Sequence, residues 1–69
     1  QDYVRARHWY EKAAAQGNAV AQVNLGVLYA KGRGVPQDYA RARYWFEKAA
    51  AQGDGSAQSA LRLLQQEGH

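Results

Sequence analysis

The chain has 69 residues, a formal net charge of +3 and no cysteine, which leaves room for one small domain and excludes a disulfide framework or a thiolate metal site. Leu, Ile, Val and Phe together supply only 11 residues, and Ile and Thr are absent, so a β-sheet is a poor fit. The 14 Ala and eight aromatic residues suit helices packed closely through alanine, with aromatic wedges between them.

The first helix is expected over about 3–16. Asp2 stands as its N-cap, with a carboxylate at the positive end of the helix dipole. Ala6, Trp9, Tyr10, Ala13 and Ala14 recur at helical spacing as an apolar stripe, and Gly17 follows as a left-handed C-cap. Asn18 caps a second helix over about 19–31, whose inward stripe is Ala21, Leu25, Leu28 and Tyr29. Gly32 closes it, and Lys31-Gly32-Arg33-Gly34-Val35-Pro36 makes the turn back. Pro36 keeps that helix from running on. The third helix, about 38–52, has Asp38 as its N-cap, carries Ala42, Trp45, Phe46, Ala49 and Ala50, and is followed by Gly53 as a left-handed C-cap. Asp54 caps the last, about 55–67, with Ala57, Leu61 and Leu64 inward. The expected structural core is Trp9, Tyr10, Leu25, Gly26, Tyr29, Trp45, Phe46 and Leu61, with Trp9 and Trp45 as equivalent anchors. Gly26 is the place where a neighbouring helix can approach closely.

A shift of 36 positions lays the third helix on the first. Residues 1–17 and 37–53 agree at 14 of 17 positions, differing only at Val4/Ala40, His8/Tyr44 and Tyr10/Phe46. Residues 18–33 and 54–69 agree at five of 16. One half of the unit is copied and the other has drifted, which is the mark of a repeat array. The fold class read from this is all-α: an α/α solenoid of four antiparallel helices in two units, 1–36 and 37–69.

The second and third helices spell a recognisable pattern. Ala21, Gln22, Leu25, Gly26, Leu28, Tyr29, Gly32, Gly34, Val35, Pro36 and Asp38 are joined to Ala42, Trp45, Glu47, Lys48, Ala49, Ala50, Gln52 and Gly53. Together they closely resemble Sel1-like repeats, relatives of the tetratricopeptide repeat with a longer turn, and the resemblance covers essentially the whole chain. It implies a right-handed α-solenoid that acts as a protein-interaction scaffold without catalysis. Its bacterial members often work in the periplasm, at the cell surface or in secretion, and the residues themselves leave the compartment open. No apolar run approaches the ~18 residues of a membrane span and no signal-peptide pattern is present.

In tetratricopeptide relatives the first helix of each unit lines a concave, partner-binding face. Carried onto this chain, that lining is Val20, Val23, Asn24, Val27 and Lys31, with Ser56, Ser59, Ala60, Leu63 and Glu67 from the last helix. The resemblance therefore implies a partner protein or peptide bound at Val23, Asn24, Val27, Lys31, Ser59 and Leu63. The amide of Asn24 suits a peptide backbone and Lys31 a carboxylate. The opposing reading is that Val23 and Val27 pack against a neighbouring helix. Arg62, Gln65, Gln66 and Glu67 replace Gly26, Tyr29, Ala30 and Lys31, which marks the last helix as a solvated cap and the expected C-terminal end of an array. The first helix has no such cap. Two units fall short of the three or so usual for independent stability, so part of a longer array, or self-association through an N-terminal edge of Tyr3, Ala6 and Tyr10, is the alternative function.

Other chemistries find less support. Arg5, Arg7 and Lys12, repeated as Arg41, Arg43 and Lys48, form basic strips with His8 and Tyr44 as stacking partners, which makes nucleic acid a lesser alternative. Six acidic residues dilute that field, and Arg7–Glu11 and Arg43–Glu47 pair at i, i+4 on a solvated face. The turn's glycines lack the Gly-x-x-x-x-Gly-Lys-Ser/Thr of a phosphate loop. His8 and His69 are too few for a metal centre, and Ser56 and Ser59 have no base beside them. No catalytic residue, metal or cofactor is expected.

Overall fold

The computed structural model describes residues 2–68. It contains four α-helices in sequence order, α1 (Tyr3–Ala15), α2 (Ala19–Lys31), α3 (Tyr39–Ala51) and α4 (Gly55–Gln66), and no strand among the described residues. α2 packs against α1 on one side and α3 on the other, and α3 continues the stack onto α4. The result is a short helical solenoid, 30 × 23 × 17 Å.

All four helices start the same way. The side-chain oxygens of Asp2, Asn18, Asp38 and Asp54 accept from the backbone N–H of Arg5, Ala21, Arg41 and Ala57 at 2.9–3.2 Å. Each bond satisfies a donor that has no partner inside the helix. Asp38 caps α3, which begins at Tyr39. Gln16 and Gln52 close α1 and α3, each donating its backbone N–H to the last-turn carbonyls.

The turn between α2 and α3 sets the repeat length. After Gly32, at φ +68°, the N–H of Arg33 returns to the Leu28 carbonyl (3.0 Å), that of Asp38 to the Tyr29 carbonyl (2.9 Å), and the Gln37 amide to the Ala30 carbonyl (2.9 Å). Val35, in the middle of this turn, is buried. Gly34 is required twice over. Its φ is +75°, and a Cβ there would lie 2.7 Å from the Tyr3 carbonyl carbon, so the turn doubles as the seat for the start of α1.

Alanine and one glycine make the core dense. Leu25, Ala42, Ala49 and Ala57 are fully enclosed, with Ala14, Ala21, Leu28, Tyr29, Phe46 and Leu64 nearly so. Gly26 lies directly under the Phe46 ring: a Cβ added there would be 2.6 Å from Phe46 Cε1 and 2.8 Å from Cδ1. A buried amide crosses the same region. Gln22, 2% exposed, donates through Nε2 to the Ala14 carbonyl (3.1 Å) and accepts at Oε1 from the Gln52 amide (3.0 Å). One side chain thereby joins the end of α1, the body of α2 and the end of α3, with donor and acceptor both used.

Leu25, Gly26, Tyr29 and Phe46 are buried, while Tyr10, Trp45 and Leu61 are half-buried against the same cluster. Trp9 departs from expectation: it is 64% exposed. The cause is position in the stack. α3 has a helix on each side, whereas α1 packs on α2 alone, so the face that α3 buries against α2 is uncovered on α1. The anchor of this core is therefore Phe46, not the tryptophan pair.

Two stability outcomes follow from this packing. Phe46→Ala should cost about 3–5 kcal/mol and abolish the cooperative melt, while Trp9→Ala should change stability by less than about 1 kcal/mol; urea denaturation followed by circular dichroism reads both. Gly26→Ala should destabilise by about 1–3 kcal/mol through overpacking, against the roughly 1 kcal/mol that alanine gains over glycine in an open helix.

Candidate functional site

Successive positions on one side of α2 bring Val20, Val23, Asn24, Val27 and Lys31 onto a single stripe, and the 36-residue offset places Ser56, Ser59, Ala60, Leu63 and Glu67 on the matching stripe of α4. Their exposures divide the set. Val23 and Val27 are half-buried and packed on the core cluster, as is Ala60, so these side chains already serve the fold. Val20 (66% exposed) and Leu63 (57%) do not. They are the large apolar groups that the stripe turns to solvent, and on α2 that group is Val20 rather than Val27.

The polar members are placed differently. Side-chain amide hydrogen bonds within the chain are made by Asn18, Gln22, Gln37 and Gln52, while Asn24 stands half-buried in the middle of the stripe. Lys31 is exposed in the last turn of α2, where its charge also suits the negative end of the helix dipole. Ser59 is exposed on α4 and Glu67 at its C-cap. The N-terminal edge residues Tyr3, Ala6 and Tyr10 are all half-buried.

The basic strips are tied to their own scaffold. Arg5 and Arg41 each lie 3.8 Å from the capping carboxylate three residues earlier, Asp2 and Asp38. Arg41 also sits over the Tyr29 ring (5.8 Å), Arg33 over Tyr3 (5.5 Å) and the Lys48 ammonium over Tyr44 (5.3 Å). Arg7 was expected to pair with Glu11 across the solvent; instead its Nε is buried without a hydrogen-bond partner. The surface is thus less of a free cationic field than the sequence suggests.

Among the described residues no group of three or more His, Asp or Glu side chains could hold a metal ion. His8 is exposed, and His69 lies outside the described residues. A cleft of about 480 Å³ runs between α3 and α4, lined by Arg43, Glu47, Leu61, Leu64 and Gln65. The sequence reading missed it. Gln65, in this cleft, stands at the position that Tyr29, a buried residue, holds in the first copy.

Gln22 was also missed as a structural residue, although a signal existed. Glutamine is kept at 22 and 58 in the half of the unit where 11 of 16 positions differ, and a polar residue retained inside an apolar pattern points to a buried hydrogen bond.

With this geometry in view, the comparisons with known proteins are specific. The family model of the Sel1 repeat matches residues 1–18 and 19–54. Its division at residue 18 makes α2 and α3 one complete unit and α1 the second half of another. The crystal structure of a Sel1 repeat protein from Oxalobacter formigenes superimposes with a TM-score of 0.89 at 43% sequence identity, covering 94% of this chain and 27% of that one. The chain thus spans about a quarter of that protein's length. No curated protein matches.

Proposed function

This chain belongs to the Sel1 repeat family, and we propose that it binds a segment of a partner protein along the stripe shared by α2 and α4. Proteins of the family are in general non-catalytic scaffolds for protein–protein interaction. No helix among the described residues is long and apolar enough to cross a membrane.

The observation that carries the reading is the pair of exposed apolar side chains, Val20 and Leu63, on a face that also holds a half-buried amide at Asn24 and a charge at Lys31. Covering a valine or leucine removes apolar surface worth roughly 1.5–3 kcal/mol for a complete burial. Asn24 offers one donor and one acceptor to a peptide backbone, and Lys31 a charge to a carboxylate. Val23 and Val27 give the stripe a rigid floor. The partner this suits is a short segment with two apolar side chains and an acidic group near the Lys31 end. Association and ordering costs absorb much of so small a contact, so binding by these helices alone is weak and gains strength when further repeats extend the same face.

The alternative of nucleic acid on the basic strips is disfavoured by the ion pairs and cation–π contacts that hold Arg5, Arg41 and Lys48 on their own scaffold.

The test is capture from source-cell lysate, with and without nuclease, using the chain itself and an Asn24→Ala/Lys31→Glu variant as baits, followed by titration of the purified partner. The variant should retain its helical circular dichroism and lose at least about tenfold in affinity, equivalent to ~1.4 kcal/mol. Leu63→Asp should do the same. A partner held equally by all three chains removes this face as the site.

A further inference from the structure

We infer that the outer face of α3 carries a second binding site, separate from the stripe of α2 and α4, for an aromatic side chain two residues from a carboxylate in an extended partner segment. A shallow hollow of about 540 Å³ lies there, lined by Ala40, Arg41, Tyr44 and Trp45. The Ala40 methyl group is its floor. The Tyr44 and Trp45 rings meet edge to face with centroids 5.1 Å apart, and Tyr44 is 53% exposed. The lining holds a cation and no carboxylate, and the Lys48 ammonium over the Tyr44 ring sets a second positive charge beside it.

The repeat singles out this spot. Residues 37–53 differ from 1–17 at three positions, and one of these, Phe46 for Tyr10, belongs to the core. The other two, Ala40 for Val4 and Tyr44 for His8, both line the hollow, while Arg41 and Trp45 keep the residue types of Arg5 and Trp9. The surface of α3 thus departs from that of α1 only where the change lowers the floor and adds a ring. The hollow also stays open between units. α1 is followed by a further unit, and its positions 4 and 8 remain exposed. α3 is preceded by one, and there Arg41 remains exposed and Trp45 half-buried.

Arg41 gives the site its chemistry. Its guanidinium sits over the Tyr29 ring (5.8 Å), and its Nε lies 3.8 Å from Asp38 Oδ2. These contacts hold the side chain in one place, which suits a single fixed carboxylate better than a run of phosphates. A guanidinium has five N–H donors, and a pairing at 3.8 Å is longer than a hydrogen bond. With its side chain 66% exposed, Arg41 retains donors for a bidentate grip on an incoming carboxylate. A phenyl ring over Ala40 meets Tyr44 and Trp45 in the edge-to-face contacts that aromatic pairs favour. Side chains two apart on an extended segment share a face at roughly 6–7 Å, close to the roughly 5–6 Å turn of helix from Arg41 to Trp45.

The indole N–H signals of Trp45 and Trp9 in nitrogen–proton correlation NMR read this site on the intact chain, with Trp9 as the internal control. Ac-Glu-Ser-Phe-NH2, titrated to about 10 mM to populate so small a contact, should move the Trp45 signal saturably and leave that of Trp9 in place. Ac-Gln-Ser-Phe-NH2, without the charge, and Ac-Glu-Ser-Ala-NH2, without the ring, should each bind at least about fivefold more weakly. Ala40→Val/Tyr44→His, which writes the α1 residues into the hollow, should lose the saturable shift with its helical circular dichroism intact. Asn24→Ala/Lys31→Glu should keep the shift, which separates this site from the stripe. The peptide comparison needs no variant and carries the test by itself. A Trp45 signal that does not move, Trp9 and Trp45 moving together, equal binding of the Gln peptide, or loss of the shift in Asn24→Ala/Lys31→Glu overturns the inference. So does a single-stranded oligonucleotide that moves the Trp45 signal at lower concentration than the Glu peptide.

Discussion

Phe46 crosses α2 at Gly26, and the depth of that crossing decides what the rest of a very small core can contain. Because no side chain stands under the ring, the two helices come close enough for Ala42 and Ala49 to be fully enclosed. At a wider separation those methyl groups would face a gap and lose the contacts that make their burial favourable. A chain with so few large aliphatic residues has little else with which to fill such a gap. The crossing therefore substitutes proximity for side-chain volume, and it works only while position 26 is glycine.

The same proximity brings polar groups together and obliges them to pair. Gln22 sits beside the crossing at 2% exposure, where an unpaired amide would cost about 1–3 kcal/mol. It is satisfied from both neighbours, by Ala14 of α1 and Gln52 at the end of α3. The turn from Gly32 to Asp38 adds a second tie, returning three donors to the last carbonyls of α2 while Gly34 receives the backbone of Tyr3. Each unit is thus fastened to its predecessor by hydrogen bonds that leave little freedom in how they stack. A rigid stack in turn lets the exposed Val20 and Leu63 and the half-buried Asn24 hold a constant arrangement, which a binding face needs in order to avoid losing affinity to ordering.

Much of the architecture was legible in the residues before any coordinates. The caps at Asp2, Asn18, Asp38 and Asp54 could be named because a short acceptor before an apolar-periodic run has few other uses. Gly26 could be named because a glycine within a helix needs a packing reason. The face of α2 and α4 was legible only as a stripe. Periodicity placed Val23 and Val27 on it, but whether a valine on such a stripe touches solvent or a neighbouring helix depends on the spacing between helices, and both valines turn out to share in the core. Trp9 shows the same limit more sharply. It is identical in type to Trp45 and lies in a nearly identical segment, yet it is exposed because α1 packs on a single helix.

What the amino-acid order determined on its own, then, was everything set by local chemistry and by its own repetition: where the helices begin and end, the 36-residue period, the turn that enforces it, and the family to which that pattern belongs. The tertiary structure decided which member of each repeated pair is covered, that Gln22 rather than an apolar residue joins three helices, and that the ring crossing at Gly26 is that of Phe46. Local signals repeat with the sequence, whereas burial is a property of neighbours. Two copies of one segment differ in burial as soon as one of them has a helix beside it that the other lacks.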